Sequence, residues 1–153
     1  MSVGELDALD RRILYLLQAE ARHTSSSDVA ASVDASASTV RNRIQRLESE
    51  GIIRGYHADV DYEAAGHQLF TLIVCTAPMP DREELAAAAA EVPGVVEVQE
   101  VVSGERNVLV QAIGVDGDDL TRIGEELDEL GLRVSDEDLI RSTHRRPYSG
   151  FEE

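Results

Sequence analysis

The 153-residue chain carries 30 acidic residues against 14 basic ones, a formal net charge of −16, and every basic residue is arginine. A hydrophobic fraction of 42% suits a globular chain of one domain, or two small ones sharing a core. Apolar runs such as residues 72–75 are too short to span a bilayer, no leader is readable, and the lone Cys75 excludes an internal disulfide or a cysteine-based zinc cluster.

A cytoplasmic protein with no membrane association is the expectation. Cys75, beside Ile73 and Val74, reads as a small core residue rather than a nucleophile. Acid-rich, lysine-free chains look like proteins of extreme halophiles with a salty cytoplasm. A GC-rich genome would explain the missing lysine but not the excess acid. The charge is also uneven: residues 1–60 hold 7 Arg and 9 acids, residues 61–153 hold 7 Arg and 21. The first part is spared, as a surface that must approach a polyanion would be.

In chain order, Leu6, Leu9, Ile13, Leu16 and Leu17 follow helical spacing and predict a helix over 7–21. Ser26 or Ser27 is expected to cap a short second helix with Val29, Ala30 and Val33 inward. After a turn at Asp34–Ala35, Ser36 caps a third helix with Val40, Ile44 and Leu47 as its buried stripe and Gly51 at its end. This is the layout of a helix-turn-helix domain over 1–60. Residues 52–61 read as a short strand or wing, and 61–68 as a linker.

The remainder, 69–153, changes character. A β-type run covers 69–76, Asp81 is expected to cap a helix containing the five alanines 86–90, and Pro93–Gly94 breaks it. Valine-rich strands are predicted over 95–102 and 107–114, joined by a turn at Ser103–Gly104–Glu105–Arg106–Asn107. Asp118 or Asp119 is expected to cap a further helix carrying Leu120, Ile123, Leu127 and Leu130, and a last strand falls within 132–143. The fold class is α/β (α+β), a winged helix-turn-helix domain followed by a ferredoxin-like β-α-β-β-α-β domain. Two helices on one face of an antiparallel sheet leave the other face open. A homodimer through that face is therefore expected, with larger assemblies built from it.

The chemistry concentrates on the third helix. At about 100° per residue, Thr39, Asn42, Arg43 and Arg46 share a flank and Arg41 lies on the other. No acid follows Asp34 until Glu48. Asn42 can pair with adenine and Arg43 with guanine, and Ser38 in the first turn can bond a phosphate. Exposed arginines are common on solvated helices. Within a helix-turn-helix frame in so acidic a chain, the run points to double-stranded DNA.

The turn at 103–107 is either a plain hairpin, with Gly104 supplying a positive φ, or part of an effector pocket. In the second reading Ser103, Gly104, Arg106 and Asn107 meet a small molecule, Arg106 pairing with a carboxylate. The basic run 144–148 reads as an exposed strand end. Asp116, Asp118 and Asp119 read as a helix cap rather than a metal site, and no cofactor is implied.

Residues 6–22, 35–61 and 101–116 together resemble the Lrp/AsnC family of transcription regulators, and with the acid-rich composition a haloarchaeal type. The resemblance covers essentially the whole chain. It implies a dimer, often further assembled into octamers, that reads DNA through paired helices and binds an amino acid or related metabolite between effector domains. The family's turn usually reads Gly-x-x-Asp with an aromatic before the acid, where this chain has Gly104–Glu105–Arg106–Asn107, so the resemblance implies that Asn107 replaces the acid that usually meets an amino group. Ala37 stands where the family often has proline. Alternatives are a ligand-independent DNA-organising regulator and an enzyme like the sirohaem decarboxylases of similar architecture. The latter would need a large tetrapyrrole pocket, and aromatics are few.

Overall fold

A computed structural model describes residues 4–152. It resolves into two compact units, residues 59–143 and the rest of the described chain.

The first unit is built on three capped helices, α1 (Ala8–Ala19), α2 (Ser26–Ser32) and α3 (Ala37–Ser49). Asp7 caps α1 through a reciprocal box: its carboxylate accepts from Asp10 N at 2.9 Å, and its own N–H donates to Asp10 Oδ2 at 3.1 Å. Ser25, rather than Ser26 or Ser27, caps α2 with Asp28 three residues on. Ser36 caps α3 as expected, and Glu50 and Gly51 close it. The buried stripes of Ile13 and Leu14, Val29, and Val40 and Leu47 meet in one core, flanked by Leu6, Leu9, Ile44, Ile52 and Ile53. Burying each such side chain contributes about 1.5–3 kcal/mol.

Two expectations fail here. Residues 52–61 form no strand within the chain, because no segment pairs with them; Tyr56 and Val60 stand exposed. The tail does not stay with the sheet either. Residues 144–152 return to the first unit, where Phe151 packs against the helical core and Tyr148 N–H donates to Gln18 Oε1 at 3.1 Å. Tyr148 and Phe151 stack edge to face at 5.0 Å. An apolar aromatic five residues past Arg146 carries no periodic signal, so sequence alone gave it no partner.

The second unit is a four-stranded antiparallel sheet in the order β2-β3-β1-β4, with β1 (Leu69–Thr76), β2 (Val95–Glu100), β3 (Val108–Gly114) and β4 (Arg133–Leu139). Helices α4 (Arg82–Ala90) and α5 (Gly117–Leu130) complete the β-α-β-β-α-β order. Asp116, not Asp118 or Asp119, caps α5 by accepting from Asp119 N at 2.8 Å, and Asp81 makes no side-chain cap on α4. Segment 61–68 belongs to this unit, with Tyr62 tilted against Phe70 at 5.1 Å.

Strand alternation sets the core. Ile73, Cys75, Val108, Val110 and Ala112 face Ala86, Ala89, Ile123 and Leu127. The small alanines let α4 lie close. Gly94, at φ +100°, passes where a Cβ would meet Ile123 Cδ1 at 2.8 Å. The alternate positions Leu72, Leu109 and Ile113 are half-buried on the face that neither α4 nor α5 covers, and Val96 and Val102 are exposed.

Phe151→Ala should destabilise the helical unit by about 1–3 kcal/mol through lost apolar burial. Hydrogen exchange resolved by residue would show faster opening at Ile13 and Leu47 and unchanged protection at Val110. Equal protection at Ile13 in both proteins would refute the docking of the tail.

Candidate nucleic-acid interface and effector turn

Helix α3 presents its candidates in two groups. Ser38, Thr39, Arg41 and Asn42 are exposed. Ser36 Oγ lies 3.1 Å from Ser38 Oγ and 2.9 Å from Thr39 Oγ1, so three hydroxyls cluster at the helix start. Arg41 makes no ion pair among the described residues. Gln45, which sequence reasoning passed over, is exposed between Arg41 and Asn42 on the helical wheel. Its position about 140° from Val40 was the available signal.

Arg43 and Arg46 are not a clean patch. Arg43 Nη1 donates to Asp7 Oδ2 at 2.5 Å and to Asp10 Oδ1 at 3.0 Å, and Arg46 Nη2 donates to Asp10 Oδ2 at 2.5 Å. The acids missing from α3 are supplied by α1. Asp10 is fully buried, and the arginine side chains keep only 30% and 39% of their exposure. Counting acids along α3 alone hid this partnership. Loss of either arginine therefore removes an internal ion pair as well as any DNA contact.

The N–H of Asp10 and the Arg43 guanidinium hold the Asp7 carboxyl down at about 2. The same contact raises Arg43.

The effector turn is corrected in two places. Gly104 is not in the left-handed region; Arg106 is, at φ 51°. Asn107 is fully buried and its amide is engaged. It accepts from Ala77 N at 2.8 Å and donates to Ala77 O at 3.0 Å and Ser103 O at 3.3 Å. It bridges the end of β1 to the start of β3 and is unavailable to an amino group. Ser103, Gly104 and Arg106 remain exposed, with Arg106 Nη1 on Asp136 at 2.8 Å. The turn contributes no residue to a cavity of about 550 Å³ in this unit, which Tyr62, His67, Phe70, Leu139 and Arg141 help line. Asp119 is held by Val115 N–H and Arg122, so Asp116 and Asp119 serve the start of α5 as capping groups.

Residues 6–54 match the family model for winged helix-turn-helix DNA-binding domains. The HTH-type transcriptional regulator PH0140 of Pyrococcus horikoshii is 30% identical over 95% of this chain and 92% of its own length. The leucine-responsive regulatory protein of Rhizobium meliloti is 35% identical over 71% of this chain and 70% of its own. The chain belongs to the Lrp/AsnC family. It is a DNA-binding transcriptional regulator, as its relatives are, and not an enzyme. Among solved structures, the feast or famine regulatory protein of Mycobacterium tuberculosis complexed with L-methionine superposes with a TM-score of 0.77. That comparison covers 92% of this chain and 95% of the other at 26% identity. No helix among the described residues is long and apolar enough to cross a membrane.

With α3 tied to α1 by carboxylates, the protein should be acid-sensitive at that tie. The depressed Asp7 contributes stability that is complete above its ordinary value of 3.8 and is lost as pH falls toward about 2. A carboxyl titration by NMR should place the Asp7 midpoint near 2, with α1 amide shifts following it; a midpoint near 3.8 would refute the pairing.

Asn107→Asp keeps the acceptor for Ala77 N but loses the donor to Ala77 O. The unpaired buried carbonyl should cost about 1–3 kcal/mol, read as a lower denaturant midpoint. An unchanged midpoint would reopen a ligand role for Asn107.

Proposed function

We propose that α3 reads double-stranded DNA through Ser38, Thr39, Arg41, Asn42 and Gln45 on its exposed face, with Arg43 and Arg46 contributing from the flank. The observation that carries this is the free polar face in the one unit spared negative charge. Outside residues 59–143 the chain holds nine arginines against ten acids, net −1; within them it holds five against 20, net −15. Asn42 and Gln45 offer bidentate amides suited to adenine, Arg41 a guanidinium suited to guanine or phosphate, and Ser38 a hydroxyl at a helix start suited to phosphate.

The half-buried face of Leu72, Leu109 and Ile113 supports a homodimer through the sheet, from which an octamer could be assembled. Paired reading helices would then engage two half-sites. The methionine complex of the structural relative supports an amino acid or related metabolite as effector. Ser103, Gly104 and Arg106 are the residues left to meet it, in a site that a second copy completes. The −16 charge without lysine supports a high-salt source of haloarchaeal type and a cytoplasmic site of action.

Arg41→Ala and Asn42→Ala should each weaken binding to a duplex selected by the wild type, by about 1–3 kcal/mol where a base contact is lost. Their melting should stay unchanged, since both side chains point to solvent. Unchanged affinity in both variants would overturn the assignment of this face. Light scattering and calorimetry with methionine and other amino acids test the dimer and the effector separately.

A further inference from the structure

The contacts around Asp10 occupy particular donors. A guanidinium carries five N–H groups in a fixed fork, and bidentate recognition of guanine or phosphate needs two neighbouring donors on one edge. On Arg46, Nη2 holds Asp10 and Nε is buried without a partner, so that edge is closed. On Arg43, Nη1 is committed to two carboxylates, while Nε and Nη2 form no hydrogen bond among the described residues. Arg43 is 30% exposed, and neither its Nε nor its Nη2 is a buried donor left without a partner, so this remaining edge reaches solvent.

The charges decide what such a cluster can do. Asp7 and Asp10 neutralise Arg43 and Arg46, leaving no net charge to attract the phosphate backbone. Affinity for DNA of any sequence is mostly electrostatic. Specificity comes from donors held in one geometry against base edges. A neutralised but rigid guanidinium serves the second purpose at the expense of the first.

We infer that Asp7 is a positioning residue of the DNA reader: with Asp10 it fixes Arg43 so that only its Nε–Nη2 edge faces the duplex. Asp10 is buried and anchors the pair from within. Asp7 is half-exposed, lies at the N-cap of α1, and sets the angle of the guanidinium from outside. The inference rests on the reading of α3 as the DNA-contacting helix.

The test uses the full-length chain and two probes, a duplex selected from a random library by the wild type and a shuffled duplex of the same composition. Asp7→Asn keeps a good N-cap, so α1 persists, but removes the charged tether. Its affinity for the shuffled duplex should rise, and the log–log salt slope should steepen by about 1 as Arg43 becomes free to pair with phosphate. The ratio of selected to shuffled affinity should fall about tenfold, the loss of one good base contact. Asp34→Asn removes an exposed acid just ahead of α3 that holds no arginine. It should raise both affinities together and leave the ratio alone. Arg43→Lys keeps the charge but not the two-donor edge. It should lower the ratio without weakening shuffled binding, which keeps the test decisive if Asp7→Asn melts early. A ratio within twofold of wild type in both Asp7→Asn and Arg43→Lys would overturn the inference while leaving α3 as the reader. A ratio shift in Asp34→Asn equal to that in Asp7→Asn would overturn it as well. A wild type that selects no duplex would overturn the reading of α3 itself, and this inference with it.

Discussion

One buried carboxylate organises the DNA-binding unit. Removing Asp10 from water costs several kcal/mol unless the charge is met on every side. It is met by two guanidiniums of α3 and by the N–H of Asp7, so both oxygens are satisfied. The arrangement has one geometry, because each partner is itself held by its helix. It therefore fixes α3 against the start of α1, while the apolar stripes of Ile13, Val40 and Leu47 supply most of the burial energy without choosing a register. Salt weakens such a pair far less than an exposed one such as Arg106–Asp136.

The sheet unit uses a neutral device for a similar purpose. Asn107 donates to and accepts from the backbone of Ala77, as a paired residue in a ladder would, just where β1 and β3 run out of partners. An aspartate could not do both at neutral pH, since it lacks the donor. The substitution that the sequence presents as a loss of charge toward a ligand is, in the folded chain, a gain of a structural bridge. The left-handed Arg106 beside it is held by Thr76, which receives its N–H at 2.9 Å. The turn's shape thus follows from β1 rather than from Gly104.

Periodicity made the architecture legible. The stripes of Val40 and Leu47, the alternation of Val108, Val110 and Ala112, and the cap at Ser36 all depend on local spacing, which the sequence displays directly. What it hid were contacts between distant residues that no period encodes. Arg43 and Asp7 lie 36 positions apart, Asn107 and Ala77 lie 30, and Tyr148 and Gln18 lie 130. The candidate site was therefore only partly legible: the exposed hydroxyl and amide positions could be read from the wheel, but the wheel treats every off-core arginine as solvated. The "clean" appearance of α3 was true of its own residues and false of its surroundings.

The return of the tail changes how the two units are connected. The chain passes between them twice, before residue 59 and after residue 143, instead of once through a linker. Both passages leave from the same place on the sheet: Ile140 N–H donates to Phe70 O at 2.7 Å, joining the exit of β4 to the entry of β1. The double connection places the sharpest change in charge, from a unit at −15 to one at −1, along two short stretches of backbone. The acid-rich unit repels a polyanion and the nearly neutral unit does not, so the way the chain partitions its charge orients it toward DNA before any base is contacted.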